Sequence, residues 1–81
     1  MLDIEKRIIF IMSEVFDINK DMIKNDSSTN NLVEWDSMNH MNLIVALEEE
    51  FKCDFDEDDI EIMVSFEIVK TIIENKLSLR N

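Results

Sequence analysis

The chain of 81 residues contains no glycine and no proline. Its turns and helix ends must therefore be made by Asn, Asp and Ser, whose short polar side chains bond to nearby backbone. With the strongest breakers missing and little β-branched alternation present, helices are favoured throughout. The single cysteine, Cys53, excludes an internal disulfide, and it reads as a small semi-apolar filler. Basic residues are scarce: eight stand against nineteen acids, for a net charge of −11. That charge repels phosphate backbones, which excludes nucleic-acid binding, and it disfavours anionic membrane surfaces. A basic protein partner is the positive inference. No apolar run approaches the ~20 residues that span a bilayer. Charges also break up the amino-terminal segment Met1-Leu2-Asp3-Ile4-Glu5-Lys6-Arg7 before a secretory core can form. The expectation is a soluble, cytoplasmic monomer with no membrane insertion. Residues 1–81 are too few for a second core, so one domain is expected. A chain of this size buries a little over ~60% of its unfolded surface and leaves little room for an enzyme's cleft.

Apolar residues are present at helical spacing. Ile4, Ile8, Ile11, Met12, Val15 and Phe16 share one face and predict a helix over about 2–16. Residues 25–31, Asn-Asp-Ser-Ser-Thr-Asn-Asn, read as loop. Around them Ile18, Met22, Ile23, Leu32 and Val33 are expected to pin the segment to a core, with a turn of helix near 21–24. Asp36 is a good N-cap for a second helix running to about Phe51. A short helix is expected over 57–63, and Ser65 is expected to cap a last one over 66–77, with Ile68, Val69, Ile72, Ile73 and Leu77 on its stripe. The fold class is therefore all-α: a small four-helix bundle of three longer helices and one short helix.

The second helix has two apolar faces. At roughly 100° per residue, Ile44, Leu47 and Phe51 fall within a quarter-turn of Leu43, while Met38, Met41 and Val45 lie about 160–220° away. Either this helix is packed on both sides, or the second stripe is an exposed docking strip. Flexible methionines and an acidic rim of Asp36, Glu48 and Glu49 suit the docking reading. The run Glu48-Glu49-Glu50 also sits at the helix C-terminus, where the dipole disfavours acids.

Asp36-Ser37-Met38, followed by Leu43-Ile44-Val45-Ala46-Leu47-Glu48-Glu49-Glu50-Phe51, resembles the modification site and second helix of acyl carrier proteins. The resemblance runs over the whole chain, from an amphipathic first helix through a long polar loop to an acidic second helix, a short third and a last one. It implies that Ser37 receives 4′-phosphopantetheine from coenzyme A through a separate phosphopantetheinyl transferase. It implies too that the arm's thiol carries acyl groups as thioesters between partner enzymes, and that the chain itself is no enzyme. By the same resemblance Asp36 contacts the transferase. Basic patches on acyl-loading and acyl-transfer enzymes meet Asp36, Glu48 and Glu49, while Met38, Met41 and Val45 fill an apolar pocket. Leu43, Leu47, Ile60 and Ile68 would line a space for the acyl chain. Glu34 and Trp35 stand where members often have glycine, and the neutral Asn39 and Asn42 stand where fatty-acid carriers often have acids. These departures leave the attachment site intact and point to a dedicated pathway.

Other readings of the same residues remain. An aminoacyl or peptidyl carrier would use the same arm, and an unmodified helical adaptor would use the same strip. Ser37 and His40, at i and i+3, suggest a nucleophile–base pair, but no glycine elbow surrounds the serine and nothing evident orients the histidine. Asp54-x-Asp56-x-Asp58 opens like a calcium loop, then fails at Asp59 and Ser65, where glycine and glutamate belong. No metal site is therefore expected. Trp35 reads as a plug that seats the loop.

Overall fold

The computed structural model describes residues 3–78. Among the described residues four α-helices are present: α1 (Ile4–Phe16), α2 (Ser37–Phe51), α3 (Glu57–Ile62) and α4 (Phe66–Ser78). Three are long and one is short. A 3-10 turn over Lys20–Met22 breaks the connection between α1 and α2, one residue before the turn read from the sequence. Residue 2, where the expected first helix begins, lies outside the described residues.

Caps set the boundaries. Asp3 Oδ1 accepts the Glu5 amide hydrogen at the start of α1, and Asp36 Oδ1 accepts that of Asn39 at the start of α2. Asp56 and Asp59 cap α3 reciprocally, each carboxylate taking the other's amide. Ser65 Oγ accepts from Ile68 N and begins α4. Without glycine, the left-handed residues that close α1 and α2 are Asp17 (φ 55°) and Lys52 (φ 54°). The amide of each returns to the last turn, at Ser13 O and Glu48 O. The use of a lysine here departs from the expectation that Asn, Asp and Ser supply all the punctuation.

The core is built from one face of each long helix. Ile8 and Met12 of α1, Leu43 and Leu47 of α2, Val69 and Ile73 of α4, and Met63 after α3 are completely buried. Each such side chain contributes about 1.5–3 kcal/mol by leaving water. The loop adds Ile23, Leu32 and Trp35 to this core. Met22 and Val33, expected to help pin it, are exposed, Val33 at 90%. Backbone bonds do the rest: Thr29 N donates to Val64 O and Phe66 N donates to Ser27 O, which bolts the loop to the junction of α3 and α4. A polar loop can be held this way because ladder-type bonds satisfy its amides without an apolar side chain.

Ion pairs tie the helices at their edges. Arg7 of α1 donates to Glu50 of α2, both to its carboxylate and to its carbonyl, and its guanidinium lies 4.3 Å from the Phe51 ring centre. Lys70 of α4 reaches Glu5 of α1 at 3.0 Å. Two of the three acids crowded at the end of α2 thus have structural partners, since Glu48 Oε2 also accepts the Phe55 amide hydrogen. Those partners offset the unfavourable helix-end field.

Candidate functional site

Ser37 is the first residue of α2 and is exposed. Its exposure follows from the cap. Asp36 turns the chain out of an extended conformation (ψ −177°) into the helix, and its carboxylate is occupied with the Asn39 amide. The serine side chain leaves the first turn where no preceding turn covers it. Amide hydrogens at a helix start carry positive partial charge, which favours an anionic group bonded there. The Asp36 carboxylate opposes that field in part.

Behind Ser37 lies an open groove of about 790 Å³ between the start of α2 and α3. Trp35, His40 and Met41 line it on the α2 side, and Ile60 and Val64 line it on the other. Three acids, Asp36, Glu57 and Glu61, share the lining. Its character is an apolar channel with a negative border.

The two stripes of α2 separate as the angular count requires. Leu43, Ile44, Leu47 and Phe51 are buried, whereas Met38, Met41 and Val45 are 76%, 49% and 53% exposed. The helix is therefore not packed all round. Glu49 is exposed, but Glu48 is half-buried and holds the Phe55 amide, so only part of its charge faces outward. Leu43 and Leu47 belong to the closed core and Ile68 is half-buried; of the four residues expected to line an acyl space, only Ile60 lines the groove.

His40 is not a base for Ser37. Trp35 Nε1 donates to its Nδ1 at 3.0 Å, and its Nε2 lies 2.9 Å from the Ile60 carbonyl. Both ring nitrogens are spent, so the nucleophile–base reading fails on geometry. Trp35 is 2% exposed and packs on Phe16 of α1 with ring centres 5.4 Å apart, the buried position expected for a plug. Asn39 Nδ2 donates to the Glu34 carbonyl and Asn42 Nδ2 donates to Asn39 Oδ1. A carboxylate at 39 has no hydrogen for that carbonyl, which explains the amide.

α3 forms the far wall. Asp59 holds it to α4 through Lys76, 3.0 Å away. That hydrogen bond is the main reason the Asp59 carboxyl sits below its usual range and the Lys76 ammonium above its own. The aspartates of the failed calcium loop are partly consumed here, since Asp56 is the α3 cap. Among the described residues no group of three or more His, Cys, Asp and Glu is arranged to hold a metal ion. No described helix is long and apolar enough to cross a membrane.

Sequence reasoning missed three parts of this site: the Trp35–His40–Ile60 chain, the Asn39–Glu34 bond and the acids Glu57 and Glu61. The first carried only a partial signal, the place of His40 on the helix face of Ser37, because its partners Trp35 and Ile60 belong to other segments. The acids of α3 carried none, since nothing local states which side of a short helix turns toward Ser37.

Residues 6–72 match a family model described as the phosphopantetheine attachment site. The fold is similar to the solution NMR structure of holo acyl carrier protein from Geobacter metallireducens, with a TM-score of 0.85 and 26% sequence identity, covering 98% of this chain and 91% of that one.

Proposed function

Since the chain belongs to the phosphopantetheine-attachment, acyl carrier protein family, we propose that Ser37 is the residue that carries the 4′-phosphopantetheine arm. One observation supports this above the others: an exposed hydroxyl at the first turn of a capped helix, opening onto an apolar groove. The residues suit the group. First-turn amides of α2 favour its phosphodiester, and the groove offers an apolar lining beside it. When bound, the arm supplies a thiol that holds acyl cargo as a thioester.

The protein's own residues do three things in this reading. Ser37 presents its oxygen to phosphorus; the bond to the serine forms as the coenzyme A pyrophosphate bond breaks, 3′,5′-ADP leaves, and the hydroxyl proton passes to the transferase. Met38, Met41 and Val45 offer an adaptable apolar contact. Asp36, Glu49, and the outward part of Glu48 meet cations on the partner. Exposed pairs of this kind contribute on the order of 0.2–1 kcal/mol each. Docking is accordingly fast, weak and salt-sensitive, as a shuttle that must leave after each transfer requires. Residues 1–81 act as one carrier domain, a cytoplasmic monomer with no catalysis of its own. The neutral Asn39 and Asn42 direct it to the enzymes of a dedicated pathway.

Intact mass spectrometry after incubation with a phosphopantetheinyl transferase and coenzyme A tests the assignment. The chain should gain one arm, and Ser37→Ala should gain none. No gain in the wild type would favour an unmodified adaptor, and a gain that persists in Ser37→Ala would move the site elsewhere.

A further inference from the structure

Trp35, His40 and Ile60 come from three separate pieces of chain: the loop, α2 and α3. An indole N–H only donates and a backbone carbonyl only accepts. His40 Nδ1, 3.0 Å from Trp35 Nε1, must therefore present its lone pair, and Nε2, 2.9 Å from Ile60 O, must carry the hydrogen. The two partners dictate one neutral tautomer. A histidinium has hydrogens on both nitrogens, so its Nδ1–H would point at the indole N–H. The bond to Ile60 survives that change, and the bond to Trp35 does not. Trp35 is buried and would be left without an acceptor, an unfavourable state for a donor shielded from water. Relief requires the histidine or the indole to turn, and all three residues line the groove beside Ser37.

We infer that His40 is a positioning residue that, when neutral, latches the loop at Trp35 to the start of α2 beside α3, and that its protonation releases Trp35 and loosens the groove. Titratable groups on both sides share the lining: Asp36 from the segment before α2, and Glu57 and Glu61 from α3. Comparison with a variant that lacks the imidazole separates a step of His40 from one of these carboxylates. The consequence for an arm on Ser37 rests on the carrier function proposed for that residue; the latch itself does not, and it is read on the unmodified chain.

The chain has one tryptophan and one histidine, so the measurement is clean. Trp35 emission followed from pH 8 down into the acid range should show a sigmoidal change. His40→Gln should abolish it, because a glutamine amide supplies one acceptor and one donor and does not titrate. In that variant the emission should stay at the wild-type pH 8 value throughout. On the wild type, ring nitrogen shifts of His40 at pH 8 should report the Nε2–H tautomer, a readout that needs no variant to fold. A tautomer with hydrogen on Nδ1, a flat wild-type profile, or a step that persists in His40→Gln overturns the latch. Any of these can occur while Ser37 is modified normally, which separates failure of the latch from failure of the carrier assignment.

Discussion

Lys76 of α4 places its ammonium 3.0 Å from Asp59 Oδ2 of α3, and the same oxygen accepts the Asp56 amide hydrogen that completes the α3 cap. One carboxylate thus closes a six-residue helix and fastens it to the bundle. The Asp59 carboxyl is held low chiefly by the Lys76 hydrogen bond, against an opposing effect of burial. A lowered carboxyl contributes stability that is present above its unfolded value and lost as pH falls through the folded one. Asp59→Asn should therefore destabilise the protein by about 1 kcal/mol at pH 7, and the difference should shrink as pH falls through the lowered Asp59 value. The raised Lys76 describes the same pair from the other side: its contribution is present below the ordinary lysine value and disappears as pH rises through the folded one. Urea titrations of both chains across acid pH check the first limb.

Asn39 sets two effects against each other. Asn39→Asp would add a negative charge near a helix start, ordinarily favourable by about 0.3–1 kcal/mol. It would also remove the hydrogen that Asn39 Nδ2 gives to the Glu34 carbonyl, at about 1–3 kcal/mol. The lost hydrogen bond outweighs the gain from charge: Asn39→Asp should lower stability by about 1 kcal/mol, whereas Asn42→Asp, exposed and bonded only to Asn39, should change it by less than about 0.5 kcal/mol. Denaturation midpoints of the two single variants provide the comparison. Equal midpoints would remove the structural reason given for the amide at 39.

Left-handed backbone at a residue with a Cβ costs roughly 1–2 kcal/mol. Lys52 takes that conformation at the end of α2, so Lys52→Gly should raise the unfolding free energy by about 0.5–1 kcal/mol after the unfolded-state entropy of glycine is counted. Asp17→Gly should gain less, because aspartate tolerates this region better. Thermal unfolding of each variant is the check.

The exposed stripe of α2 allows stability and docking to be tested apart. Met38→Glu and Met41→Glu alter side chains outside the core, so each should move stability by no more than about 0.5 kcal/mol. Each should nevertheless raise the KM of a phosphopantetheinyl transferase for the chain severalfold with kcat little changed. Steady-state kinetics at two salt concentrations would show this. An unchanged KM in both variants would remove the methionines from the docking face.

Four helices and their order were legible because the periodicity of Ile4 to Phe16, of Leu43 to Phe51 and of Ile68 to Leu77 is a local property of the chain. So were the caps at Asp36 and Ser65, since capping chemistry acts within three residues. Ser37 stood out by resemblance and by its place in a first turn. The loop was half legible: its burial at Ile23 and Leu32 was expected, but Met22 and Val33 carry the same apolar character and remain in water. Which loop residues turn inward depends on the bonds Thr29–Val64 and Phe66–Ser27, made between segments far apart in the chain.

Local chemistry, then, determined the class of fold, the negative surface and the alcohol at the start of the second helix, because spacing and charge act between near neighbours. The tertiary structure alone decided what faces that alcohol. Only when α3 packs beside α2 does Ile60 present a carbonyl to His40, does His40 lose its freedom to act as a base, and do Glu57 and Glu61 border a groove. Such pairings depend on the rotation and offset of one packed element against another, and no pattern within a single helix encodes them.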